Sequence, residues 1–173
     1  MLFLFAILLG IVFGLLTGGR IGNLARLRFR WAWVVLAAVL VREAVLLTPL
    51  SRVDGAQYAY AIALAAILVW TVFHWNRLRG IWLVTIGSAL NLLAIIANGA
   101  RMPVAPELAC SLVRRGTVGQ YTVMGSGTHL NLLGDWISLH PVPEAYSPGD
   151  VLIAIGLAVT VFIATATPAR IVG

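Results

Sequence analysis

The sequence predicts an all-α, polytopic membrane protein with five transmembrane helices and an extracytoplasmic cap between helices 4 and 5. Two properties of the composition support this fold class: 61% of the residues are hydrophobic and only 10% are charged. A soluble core of 173 residues cannot bury that much apolar surface, so lipid is the expected solvent. All residues from 1 to 173 are expected to form a single integral membrane domain.

Five apolar runs are each about long enough to cross roughly 30 Å of hydrocarbon at 1.5 Å per residue. They comprise residues 2–17, 31–48, 56–73, 81–98 and 151–167. The first run has no basic segment before it and no small-residue cleavage site ahead of Gly18, so we expect a retained helix. The polar stretch 99–149 is too long for an unstructured loop and is expected to fold as the cap.

The distribution of arginine predicts the orientation in the membrane. One set of loops is basic and contains no acid, whereas the other set mixes arginine with aspartate and glutamate. The positive-inside rule therefore places the N-terminus outside and the C-terminus in the cytoplasm. The basic loops contain Arg20, Arg26, Arg28, Arg30, Arg77, Arg79 and Arg170. The net charge of +6 then reflects topology and contact with membrane lipids, and nucleic acid is not expected as a partner.

Aromatic residues at the ends of the runs agree with this orientation, because tryptophan and tyrosine favour the membrane interface. The cytoplasmic belt is predicted to contain Trp31, Trp33, Trp70, Trp75 and Trp82. Tyr58 and Tyr60 are expected at the outer interface, and His74 is expected to be an anchor at the inner one.

The first helix carries Gly10, Gly14 and Gly18 on one face, at intervals of four residues. Such a stripe allows a second helix to approach closely. Two interpretations are open: packing against the other helices of the same chain, or a contact with a partner subunit or a second copy.

Polar side chains within the runs are candidates for a site. Arg42 and Glu43 are near the middle of the second run, and charged groups at that depth face the interior of the bundle. Because neighbouring residues on a helix point about 100° apart, at least one of the two is expected to reach another helix. The fourth run offers a stripe for this contact, with Asn91 as the first candidate, in the series Thr85, Ser88, Asn91 and Asn98. Either an interhelical clamp or a polar cavity would explain these residues.

The cap holds two aspartates that are candidates for catalysis. Asp150 is in the first turn of the last helix, where it would satisfy free N–H groups and the helix dipole after Pro148. Asp135 is expected near the membrane surface, below a turn that Thr128 would cap. If the two carboxylates meet within one water molecule, one can act as base and the other as acid. Arg101 or Asn98 is expected beside them.

No metal or cofactor is expected. His129, Asp135 and His140 lack the spacing of zinc signatures, and the runs contain no histidine suited to holding a haem. The single Cys110 cannot form an intramolecular disulfide.

Three motifs carry a resemblance that covers nearly the whole chain. They are Asn98 to Val104, Thr128 to Asp135 and Ser147 to Ile153, with Gly18-Gly19-Arg20 in support. The chain resembles a family of small prokaryotic integral membrane proteins of unknown function, although Ala100 replaces a second glycine of that pattern. The resemblance implies five helices in a prokaryotic cytoplasmic membrane and assigns no activity.

A second resemblance is confined to the last third. Asp135 and Asp150, one before and one at the start of the final helix, look like the aspartate pair of lipoprotein signal peptidase, which implies peptidase chemistry. That family has four helices and a lysine-containing motif, whereas this chain has no lysine and reads Ser147-Pro148-Gly149-Asp150.

Three functional hypotheses follow. The first is a non-catalytic subunit or assembly partner of a membrane complex, which the small size and the glycine stripe favour. The second is a membrane-embedded hydrolase that uses Asp135 and Asp150, with Arg42, Glu43, Asn91, Asn98 and Arg101 in binding or support. The third is a protein that binds lipid or a small ligand.

Overall fold

The computed structural model describes residues 1–26, 29–47, 53, 55–114, 119–139 and 144–166. This part of the chain is mostly helical. Its α-helices are α1 (Leu2–Leu16), α2 (Ala32–Leu47), α3 (Ala56–Phe73), α4 (Ile81–Ala97), α5 (Pro106–Arg114) and α6 (Pro148–Ala166). Its strands are β1 (Met102–Val104), β2 (Tyr121–Val123), β3 (Ile137–Ser138) and β4 (Ala145–Tyr146). Short 3₁₀ helices span Ile21–Arg26 and Asn131–Leu133.

Only α3 and α6, of the helices described, are both long and apolar enough to cross a membrane. α1 and α4 are apolar but have 15 and 17 residues, and α2 has 16. The expected five full-length spans are therefore not found. α1 is short because the chain turns at Gly18, whose φ of +86° is incompatible with a continuing right-handed helix. The predicted ends at Thr48 and Thr167 lie outside the described residues, as do Arg28 and Arg170.

The last helix has a central place in the packing. α6 has its most extensive contacts with α1 and α4, while α3 contacts both α2 and α4. A Cβ added at Gly10 would lie 2.5 Å from the carbonyl oxygen of Ala158, and one added at Gly14 would lie 2.5 Å from Cβ of Thr165. These two glycines therefore pack within the chain, against α6. A Cβ added at Gly18 would have no neighbour within 4 Å. A contact of this stripe with a second copy stays a prediction.

The start of α6 packs closely against the first half of α4. Gly87 and Gly149 face each other across the crossing, so that the carbonyl oxygen of Gly87 would lie 2.6 Å from a Cβ on Gly149. Lower down, Gly156 contacts the backbone of Val84. The absence of side chains at these positions brings the two backbones together, which is how glycine promotes helix pairing in membranes.

Several aromatic residues predicted for the interface are buried instead. Trp70 donates its indole N–H to the carbonyl oxygen of Arg30 at 2.9 Å and stacks on His74 at a ring distance of 4.0 Å. His74 itself is buried, so it is not an exposed anchor. Tyr60 is also buried, whereas Tyr58 is exposed as expected. A ring at a helix end can face the neighbouring helix as well as the lipid, and hydropathy does not distinguish these directions.

The cap is a small mixed structure rather than a purely helical one. β1 pairs in parallel with β2, and the backbone of Asp135 extends the other edge of β1 through a bridge to Val104. β3 and β4 pair antiparallel. Asn98 holds the cap to the end of α4, because its side chain exchanges two hydrogen bonds with the backbone of His129 at 2.7 and 2.8 Å. The cap therefore sits over the C-terminal end of α4 and the N-terminal end of α6. Thr128 bonds the backbone of Gly125 and does not cap the 3₁₀ turn.

Candidate functional site

Polar side chains from different elements converge where the cap meets the helices. We call them the polar cluster: Arg42 of α2, Tyr60 of α3, Asn91 of α4, Tyr121 of β2, Asp135 of the cap and Asp150 of α6. A protein with apolar residues of similar size at these buried positions would be at least as stable, so stability does not explain the polar side chains. The convergence of six elements on one polar interior therefore marks this region as the candidate site.

Asp150 is fully engaged at the start of α6. Its backbone N–H donates to Oγ of Ser147 at 2.9 Å, and its carboxylate accepts from the backbone N–H of Ser147 at 3.1 Å. This reciprocal pair is a capping box, with Pro148 in the first helical turn. The predicted capping role of Asp150 is thus visible in the structure, and Ser147 is its partner.

Asn91 joins α4 to this cap. Its amide nitrogen donates to Oδ1 of Asp150 at 2.8 Å, while its oxygen accepts from Oγ of Ser147 at 2.7 Å. We expected Asn91 to meet Arg42 and Glu43. The close approach of α4 to α6 at Gly87 and Gly149 places it against the start of α6 instead.

Asp135 is held by its backbone and lacks a partner at one carboxylate oxygen. Its N–H donates to the carbonyl oxygen of Pro103 at 2.8 Å, and its own carbonyl accepts from Ala105 at 2.9 Å. The residue is 5% exposed, and Oδ1 has no hydrogen-bond partner among the described residues. Burial raises the pKa of Asp135 well above its ordinary value; the charge of Asp150 raises that pKa further, and Arg42 opposes both. The expectation that the two carboxylates share a water molecule stays a prediction.

Arg42 and Glu43 form a salt bridge with each other, 2.6 Å from Nη1 to Oε1. Although neighbouring residues on a helix point about 100° apart, these two side chains are long enough to bend toward each other. Arg42 also reaches α3 through a hydrogen bond with Tyr60. Glu43 is only half-buried, where we expected it to face the interior: 39% of its side chain is exposed, and it follows Leu36 and Leu40 along one face of α2.

Arg101 and Asn98 are engaged elsewhere. The guanidinium of Arg101 is exposed and donates to the carbonyl oxygen of Gly119 at 3.3 Å, and Asn98 binds His129. Of the described residues, Arg42 is the cation that acts on Asp135. Sequence reasoning chose an arginine at the start of the cap, whereas the folded chain supplies one from α2.

Three residues of this region were missed as site residues. Ser147 had a readable signal, since serine three residues before an acid at a helix start is the capping-box pattern. Tyr60 was assigned to the membrane interface, and Tyr121 had no local signal for a site. Both act electrostatically with the two aspartates only because of the tertiary structure. No group of three metal-binding side chains occurs within the part of the chain that the structure describes.

The fold and site define a helical protein with two helices of membrane-spanning length and a buried polar cluster under a cap. The chain belongs to the family of unknown function DUF5317, whose family model matches residues 26–162. No curated protein and no solved structure matches the chain.

Proposed function

We propose that the chain is an integral membrane protein in which all five long helices cross the cytoplasmic membrane, with the N-terminus outside. Large apolar side chains are exposed along α1 to α4, as expected for helices in lipid. They include Leu4, Phe5, Leu8, Val12, Leu36, Leu40, Ile62, Val69, Leu93 and Ile96. The 15 residues of α1 extend roughly 22 Å, a mismatch that local thinning of the bilayer can absorb.

Within that membrane, we propose that the protein acts as a non-catalytic subunit or assembly partner. Glu43 carries this proposal, because it is a partly exposed carboxylate within the apolar helix α2, on the same face as Leu36 and Leu40. Its ion pair with Arg42 leaves 33% of the arginine and 39% of the glutamate side chain uncovered. Charged groups exposed to hydrocarbon are costly and normally face protein or water. We therefore place a helix of another subunit, with a hydrogen-bond donor at this depth, against Leu36, Leu40 and Glu43.

Photo-crosslinking tests this interface. With a benzophenone amino acid at Leu40, irradiation of intact membranes is expected to give protein adducts of defined mass. The same probe at Leu93, which is comparably exposed on α4, is expected to give lipid adducts alone. Glu43→Gln should reduce the yield of the Leu40 adduct several-fold, because the hydrogen-bond donor on the other subunit's helix then no longer meets a charged carboxylate.

Co-expression of two differently tagged copies shows whether the crosslinked protein is a second copy or another subunit, because only a crosslink between copies gives an adduct that carries both tags. Lipid adducts alone at both positions would contradict the proposal, as would a Leu40 adduct that is indifferent to Glu43→Gln.

An aspartate-dependent hydrolase is a second candidate, favoured by the effect of Asp150 on the pKa of Asp135. A protonated Asp135 would donate to a carbonyl oxygen while an ionised Asp150 activates water. The hydrogen bonds from Asn91 and Ser147 already occupy both oxygens of Asp150, which weighs against the base role and makes this the weaker candidate.

Cleavage of lipidated or membrane-spanning peptides by the protein in vesicles tests the hydrolase. Asp135→Asn and Asp150→Asn should each lower the rate by at least about 100-fold if the pair supplies the acid and the base. Glu107→Gln changes an exposed carboxylate of α5 and should leave the rate unchanged. Wild-type cleavage by Asp150→Asn would exclude the pair as the catalyst.

A further inference from the structure

The unpartnered carboxylate of Asp135 is the starting point for a binding site. Hydrogen bonds from both its N–H and its C=O hold the backbone of Asp135 to β1, and the residue is 5% exposed. Its Oδ1 has no hydrogen-bond partner among the described residues. A buried carboxylate oxygen without a partner is destabilising, so a bound ligand that contacts it would stabilise the folded protein.

The charges around Asp135 show which ligand would fit. Asp135 and β2, which carries Tyr121, flank β1 on its two edges, and Tyr121 packs in the same core cluster as Tyr60 of α3. Arg42 of α2 and Asp150 of α6 act on Asp135 electrostatically. The single guanidinium is already bound by Glu43 and by the hydroxyl of Tyr60. Among the described residues, Arg42 is thus the one cation that acts on the two buried carboxyl groups, Asp135 and Asp150, and its ion pair with Glu43 engages it further. The site therefore has an excess of negative charge whenever both aspartates are ionised.

The negative charge around Asp135 would be balanced better by a monovalent cation than by a divalent one. Protein sites for divalent ions usually combine three or more metal-binding side chains. The described residues offer no such cluster, and each carboxylate oxygen of Asp150 already accepts a hydrogen bond, one from Asn91 and one from Ser147. The hydroxyl of Tyr121 and the two tyrosine rings suit a monovalent cation, through oxygen lone pairs and the ring faces.

We propose that Asp135 and Tyr121 form a site beneath the cap for a monovalent cation of the alkali-metal or small-ammonium type, in exchange with a proton. This inference is independent of the partner of α2. Protons and cations compete for the same carboxylate oxygen, so the apparent cation affinity should fall by about tenfold for each pH unit below the pKa of Asp135.

Thermal unfolding of the purified full-length protein in nanodiscs tests the site. Samples at equal ionic strength contain sodium, potassium, methylammonium or the bulky N-methylglucamine ion, between about pH 5 and about pH 8. In N-methylglucamine, the melting temperature should fall as the pH rises, because a raised pKa favours the folded state only while the group is protonated. At the alkaline end, at least one of the small cations should restore the melting temperature, and the cation that does so identifies the ligand.

Asp135→Asn should abolish both the cation effect and the pH dependence, and Glu107→Gln should preserve both. If Asp135→Asn does not fold, Tyr121→Phe provides the second test, with weaker cation affinity and an intact fold. A pH dependence with no cation-specific effect would overturn the proposal and leave a simple buried acid. Equal cation responses in the wild type and in Asp135→Asn would overturn it as well.

Discussion

Gly149→Ala is expected to lower the free energy of unfolding by roughly 3 kcal/mol. The added Cβ would collide with Oδ1 of Asn91 and lie 2.6 Å from the carbonyl oxygen of Gly87. Neither group moves easily, because Oδ1 of Asn91 accepts a hydrogen bond from Ser147 and the Gly87 carbonyl is helix backbone. Alanine favours helix over glycine by about 1 kcal/mol, so overpacking outweighs the gain in propensity.

The effect can be measured as loss of the folded peak in size-exclusion chromatography after heating, where we expect a midpoint lower by roughly 5 to 10 °C. Gly22→Ala is the matched control: this glycine is also helical, and a Cβ there has no neighbour within 4 Å. The control should stay within about 0.5 kcal/mol of the wild type. An unchanged midpoint for Gly149→Ala would mean that α4 and α6 are further apart than the structure shows.

Asn91→Ala is expected to destabilise the protein by about 3 kcal/mol, because it removes a donor from the carboxylate of Asp150 and an acceptor from Ser147. Both groups are covered by α4, so water cannot easily replace the amide. Asn98→Ala is the control. It removes similar hydrogen bonds at an exposed helix end, where water is available, and should cost about 1 kcal/mol.

Chemical unfolding in mixed micelles measures both variants. The double variant Asn91→Ala with Asp150→Ala separates the pair energy from the loss of each side chain. Additive effects would contradict a direct interaction, whereas an effect of the double variant close to that of Asn91→Ala would support it.

Local features of the sequence predicted much of the helical framework. α3 spans the same residues as the third predicted run, and α1 and α4 end one residue earlier than predicted. α6 begins at Pro148, three residues before the predicted run 151–167, so that Asp150 lies in its first turn. Hydropathy, proline position and capping act within one or two turns of chain, so they can be read without the fold.

The sequence by itself therefore determined a helical, apolar protein of a family of unknown function, with a few polar residues inside its apolar runs. Only the tertiary structure decided that Asn91 meets Asp150 and that Arg42, not Arg101, acts on Asp135. It also decided that Tyr60 and Trp70 are buried. These choices depend on how each helix is rotated about its axis, and one residue of rotation redirects a side chain by about 100°. Because lipid and a helix interface are almost equally apolar, hydropathy does not fix that rotation. In this protein, the glycine contacts between α4 and α6 and the backbone of the cap fix the rotation of these two helices.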